Sequence, residues 1–93
     1  MKISKETQNK IKHTIKRIGM LLIAKNKQYG DSVMDPIAIF AQGNAQDLVR
    51  VRIDDKLSRL KRGNDSIESD EDIVDDLIGY LILLRIMMGD ENE

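Results

Sequence analysis

Apolar residues recur at the helical period along most of this chain. Ile11, Ile15, Ile18 and Leu22 follow at spacings of four, three and four residues, which puts them on one face of an α-helix. Lys10, Lys12, Lys16 and Arg17 take its other faces. The pattern predicts a helix over 5–28, capped by Ser4 and stopped by Gly30, because glycine accepts the left-handed conformation that ends helices. Asp35-Pro36 joins a capping side chain to a proline suited to the first helical position, and predicts a short helix over 36–42 bearing Ile37, Ile39 and Phe40. Gly43-Asn44 ends that piece and caps a third helix over 45–62, whose apolar line is Val49, Ile53, Leu57 and Leu60, with Gly63 closing it. Val49 to Ile53 also has the length of a strand, but Arg50, Arg52 and the continuing period favour helix.

After a polar loop, a fourth helix is predicted over 70–88. Asp70, Glu71 and Asp72 occupy its first turn, where the helix dipole favours anions. From Ile73 to Met88 apolar residues fall on nearly every face, the pattern of a helix covered on several sides. The predicted architecture is therefore all-α: one domain over 1–93, a small four-helix bundle. A chain of 93 residues buries only about 60–65% of its unfolded surface, so a monomer is marginal. Three short helices cover little of the fourth, and a homo-oligomer, dimer or higher, is expected to supply the rest.

Charge narrows the partners. Fifteen basic and 16 acidic residues give a net charge of -1, and Tyr29, Phe40 and Tyr80 are the only aromatic side chains. Neither a global electrostatic grip on nucleic acid nor a base-stacking platform for single strands fits that balance. Recognition of phosphate must be local. Cysteine is absent, which excludes disulfides and thiolate metal sites. Met1 to Gln8 lacks an apolar signal core, and the apolar run Leu77 to Met88, interrupted by Arg85, falls short of the roughly 20 residues a membrane span needs. A cytoplasmic protein is expected, without membrane partners.

Three constellations carry possible chemistry. Lys25-Asn26-Lys27-Gln28-Tyr29-Gly30-Asp31-Ser32 gathers basic, amide, phenol and hydroxyl groups at a helix end; it reads as a solvated helix stop or as a ligand-contacting loop. Arg52, Asp55, Lys56 and Arg59 share one stripe of the third helix. They form intrahelical ion pairs, Arg52 with Asp55 and Asp55 with Arg59, or they present Arg52 and Arg59 to phosphate oxygens. Glu68, Asp72, Asp75 and Asp76 open the fourth helix. Asp76 lies on one line with Asp72, Tyr80, Leu83 and Met87, inside an apolar helix, where a carboxylate must be paired or bound to a metal. Its partner is the basic stripe of the third helix, or Asp72 and Asp76 together hold a hard cation such as Mg²⁺. His13, the single histidine, sits among lysines and reads as a solvated surface residue.

Taken together, Lys25, Asn26, Tyr29, Gly30, Asp31 and Ser32, then Arg52, Asp55, Lys56, Arg59 and Leu60, then Asp72, Asp76, Leu77 and Tyr80 form an ordered pattern over about residues 20 to 84. It resembles the first family of nucleotide-modification-associated domains, small proteins typical of phages and prophages. That family is similar to the all-α nucleotide pyrophosphohydrolases of the MazG type, oligomers in which acids on two helices bind Mg²⁺ and activate water. The resemblance implies a catalytic and metal role for Asp72, Asp76 and Asp55, with Asp54 near them. It implies phosphate contacts from Lys56, Arg52 and Arg59, base or sugar contacts from Asn26 and Tyr29, and a further substrate contact from Lys25. The chain departs from the MazG-type pattern of paired glutamates: it has Asp54-Asp55 on the third helix, and Ile73 three residues before Asp76.

Three functions follow as expectations. The first is a Mg²⁺-dependent nucleoside triphosphate pyrophosphohydrolase in the host cytoplasm of a phage. The second is a non-catalytic protein that binds or sequesters a nucleotide or another phosphorylated small molecule. The third is a structural helical adaptor in which Asp76 only pairs with Arg52 or Arg59.

Overall fold

The computed structural model describes residues 2–34, 43–63 and 67–89, with the side chains of the first helix described from residue 5. These residues hold three α-helices, α1 (Lys2–Gln28), α2 (Ala45–Arg62) and α3 (Asp70–Met87), and no strand. The all-α class holds. Among the described residues the expected four-helix bundle is a three-helix arrangement; the short helix predicted over 36–42 lies outside them. The segment Val49 to Ile53 is helical, as the charges at Arg50 and Arg52 favoured.

The helix ends follow from local chemistry. Asn44 Oδ1 accepts the Asp47 N–H at 2.9 Å and Ser69 Oγ accepts the Asp72 N–H at 3.1 Å. Each cap satisfies a backbone donor that the first helical turn leaves orphaned. Gly63 ends α2 at φ 64° and ψ -123°, and its N–H closes onto the Arg59 and Leu60 carbonyls; a side chain at that backbone angle would be strained.

α3 is the centre of the fold, packed against both α1 and α2 and more extensively against α2. Gln46 Nε2 donates to the Met87 carbonyl at 3.2 Å, tying the start of α2 to the end of α3. Lys56, further along α2, reaches back to Asp76 at 2.9 Å. The two helices therefore run antiparallel. Ile73 and Val49 are fully buried, and Ile18, Leu77 and Leu84 complete the buried apolar set among the described residues. Burial of a side chain such as Ile73 contributes roughly 1.5–3 kcal/mol. Gly79 is buried on α3, where a Cβ would lie 3.3 Å from Leu22 Cδ1 of α1. The missing side chain lets α1 approach α3 there.

Much apolar surface remains open. Ile11 and Ile15 continue the stripe of the buried Ile18 but are 52% and 65% exposed. With Ile78 and Ile82 of α3 they line an apolar groove of about 340 Å³. Leu81 and Ile86 of α3 are also more than half exposed. The radius of gyration is 15.5 Å, against about 12 Å for a compact domain of this length. α3 is thus covered on two sides and bare on others. Among the described residues no helix is long and apolar enough to cross a membrane.

Candidate functional site

Three helical stripes meet at one cleft. On α1, Ile18, Leu22, Lys25, Asn26 and Tyr29 lie at helical spacing, so the apolar line becomes polar in its last turns. On α3, Asp76, Gly79, Tyr80 and Leu83 share a face, and Arg52 approaches from α2. Together with Leu21, Asp75 and the turn residues Asp31, Ser32 and Val33, they line a cleft of about 440 Å³. That volume is within the range of small-molecule sites.

The turn after α1 is built by the backbone. The Tyr29 N–H bonds the Lys25 carbonyl at 3.0 Å and the Asp31 N–H bonds the Asn26 carbonyl at 3.1 Å. Gly30 and Asp31 take φ values of 60° and 62°. Two successive left-handed residues turn the chain back, and Asp tolerates this region better than most residues. Asn26 Nδ2 donates to Asp31 Oδ1 at 2.7 Å, fixing the turn against the helix. Asp31, Ser32 and Val33 thereby return to the cleft wall.

A chain of ion pairs runs along the cleft and behind it. Asp76 presents Oδ1 to Lys25 Nζ and Oδ2 to Lys56 Nζ, each at 2.9 Å. Lys56 Nζ also meets Glu68 Oε1 at 2.7 Å, and Arg59 meets Glu68 Oε2 at 2.7 Å and Asp55 Oδ2 at 3.1 Å. Arg17 forks onto Asp75, with Nη1 at 2.8 Å from Oδ2 and Nη2 at 3.1 Å from Oδ1. Burial pushes the Asp76 carboxyl up, but the hydrogen bonds from Lys25 and Lys56 outweigh it and hold the group below the usual carboxylate range. Lys56 and Arg59 hold Glu68 low in the same way, and Arg17 does so for Asp75. Burial alone would lower the Lys56 amine; its bonds to Glu68 and Asp76 raise it.

Arg52 is different. Its guanidinium carbon stands 5.9 Å from the centroid of the Tyr80 ring, within cation–π range. No carboxylate among the described residues forms an ion pair with it. The expected pair of Arg52 with Asp55 is not formed, whereas that of Asp55 with Arg59 is.

The cleft thus gathers Lys25, Asn26, Tyr29, Arg52 and Asp76 from the expected set. Lys56 joins them through Asp76, and Arg59 only through Glu68. Asp72 is exposed, and Asp55 is engaged by Arg59. Both Asp76 oxygens are held by lysines. Of Asp55, Asp72 and Asp76 only Asp76 lines the cleft, and among the described residues no three Asp, Glu or His side chains form a metal-holding group. Asp31 and Asp75 stood in the candidate constellations without a role of their own, and the sequence did not mark Leu21, Leu22 and Gly79 as cleft residues. Gly79 did carry a signal there, because glycine inside an apolar helix marks a close approach. Compared with protein families, curated proteins and solved structures, the chain matches none.

Proposed function

We propose that the cleft between α1, α2 and α3 binds a nucleotide or a closely related phosphorylated small molecule. The observation that carries this is Arg52 seated over Tyr80 at the cleft wall. A guanidinium without a carboxylate partner among the described residues is a fork for phosphate oxygens. The Tyr80 and Tyr29 rings and the apolar Ile18, Leu22 and Leu83 offer a surface for a flat ring. Asn26 offers an amide to its edge, and Lys25 adds positive charge.

Binding needs no convergent acids, and the cations that close on Asp76, Glu68 and Asp55 favour a binder over a hydrolase. One observation supports turnover as a second reading: Asp31, Asp75 and Asp76 all line the cleft. Calorimetry of the full chain against nucleoside triphosphates and cyclic nucleotides, with and without Mg²⁺ and with product analysis, separates the two. Saturable binding with unchanged ligand supports the binder. Mg²⁺-dependent release of pyrophosphate establishes the hydrolase. Absence of any heat across the panel leaves the structural adaptor.

The same proposal includes a homo-oligomer, in which a second copy covers Ile11, Ile15, Ile78 and Ile82. Sedimentation velocity tests it directly. A phage setting and a cytoplasmic location belong to the proposal through the resemblance of Lys25 to Tyr80 to the phage family.

A further inference from the structure

Taking the nucleotide reading as its premise, we infer that the cleft selects a ligand bearing a single negative charge, a nucleoside phosphodiester, and discriminates against free polyphosphates. The charge inventory around the cleft carries this. Lys25 and Arg52 are its lining cations, and Asp31, Asp75 and Asp76 its lining carboxylates. Arg17, Lys56 and Arg59 reach the cleft only through carboxylates that they neutralise, with Glu68 and Asp55 completing the network. Among the described residues five cations therefore face five carboxylates.

Within that balance the cations are not equivalent. Lys25 gives its amine to Asp76, and Lys56 divides its own between Asp76 and Glu68. Taking phosphate onto either lysine means breaking an ion pair and leaving the part-buried Asp76 carboxylate short of a donor, which is costly. Arg52 needs no such exchange. Its fork can meet two oxygens of one phosphate while its face stays on Tyr80. A phosphodiester has two such oxygens and one charge. A triphosphate adds three further negative charges or nearly so, beside Asp31, Asp75 and Asp76 and without a matching cation. The apolar part of the wall, Ile18, Leu21, Leu22, Val33 and Leu83, suits the uncharged body of a nucleoside and not a polyphosphate chain.

The test is calorimetric titration of the full chain with three probes for each common base: the nucleoside, its 3′,5′-cyclic monophosphate and its triphosphate, the last with and without Mg²⁺. The cyclic monophosphate of the preferred base is expected to bind at least tenfold more tightly than the triphosphate. Arg52→Gln, at an exposed position on α2, should reduce cyclic monophosphate affinity to about that of the same variant for the nucleoside. Asp31→Asn keeps a residue that tolerates the left-handed backbone and removes one cleft carboxylate. It should raise triphosphate affinity severalfold relative to the cyclic monophosphate. A triphosphate that binds as tightly as the cyclic monophosphate, with or without Mg²⁺, overturns the charge selection and leaves the nucleotide site standing. An Arg52→Gln variant with undiminished affinity for the cyclic monophosphate also overturns it. Failure of all three probes to bind removes the nucleotide reading itself, and the selection with it.

Discussion

Lys25 Nζ lies 2.9 Å from Asp76 Oδ1, which joins the last turns of α1 to the middle of α3. The same carboxylate takes Lys56 of α2 at 2.9 Å through its other oxygen. One side chain therefore ties together all three helices at the cleft. Packing between α1 and α3 is the sparser of the two helix contacts, so this tie bears more of the α1 placement than its size suggests.

Replacing that tie should be felt in stability and in the site together. Asp76→Asn keeps the shape but removes the charge that two ammonium groups share. It should destabilise the fold by about 1.5–3 kcal/mol, the range for hydrogen bonds to charged groups. Urea unfolding checks the loss. If Asp76 is a tie between helices, phosphate ligands should still bind the variant, since Lys25 and Lys56 are then released. A collapse of binding in a variant that stays folded would instead give Asp76 a direct part in recognition.

Acid should loosen the fold through three carboxylates. The folded-state values of Asp76, Glu68 and Asp75 lie below the ordinary values of 3.8 for Asp and 4.5 for Glu. Groups depressed in this way contribute stability that is fully present above the ordinary values. It is lost as pH falls through the folded ones. The melting temperature should therefore hold from neutrality to about pH 5 and fall steadily below about pH 4.5. Thermal melts of wild type and Asp76→Asn across that range check the sign. The variant, lacking one of the three groups, should show the shallower fall.

Two isoleucines separate core from assembly. Ile73 is fully buried and Ile15 is 65% exposed. Ile73→Ala should cost about 2–5 kcal/mol at any protein concentration. In a monomer Ile15→Ala should stay within about 0.5 kcal/mol of wild type. In an oligomer closed over the groove of Ile11, Ile15, Ile78 and Ile82, the wild-type melting temperature should rise with concentration, and Ile15→Ala should weaken association and lower it. Sedimentation and melts at two concentrations distinguish these outcomes.

Bulk at Gly79 should open the cleft. A Cβ there would already sit 3.3 Å from Leu22 Cδ1, a contact that Ala could accommodate by a small shift of a flexible side chain. Ala also gains about 0.8–1.0 kcal/mol of helix propensity over Gly, so Gly79→Ala should stay close to wild type in stability. Gly79→Leu cannot be accommodated in this way. It should push α1 from α3 and cost ligand affinity at least tenfold while leaving α2 and α3 paired. Titration checks the affinity, and hydrogen exchange along α1 checks the displacement.

The sequence by itself determined the local structure of α2, α3 and the end of α1; the start of α1 lies at Lys2, so Ser4 is inside the helix and does not cap it. The apolar period, the caps Asn44 and Ser69 and the stops Gly30 and Gly63 act within a few residues, so composition at short range is sufficient. It also marked Lys25, Asn26 and Tyr29, then Arg52, then Asp76 as candidates, but in three separate constellations. Only the tertiary structure decided who pairs with whom. Arg17 with Asp75 and Lys25 with Asp76 span 58 and 51 residues of chain, and nothing in a helical wheel selects one distant carboxylate over another. Asp72 and Asp76 share a stripe, yet Asp72 is exposed while Asp76 lies between two lysines. Arg52 had Asp55 within reach on its own helix and stands over Tyr80 of α3 instead. The physical reason is the same in each case: periodicity sets the face of a residue, and the meeting of faces is set by how helices pack.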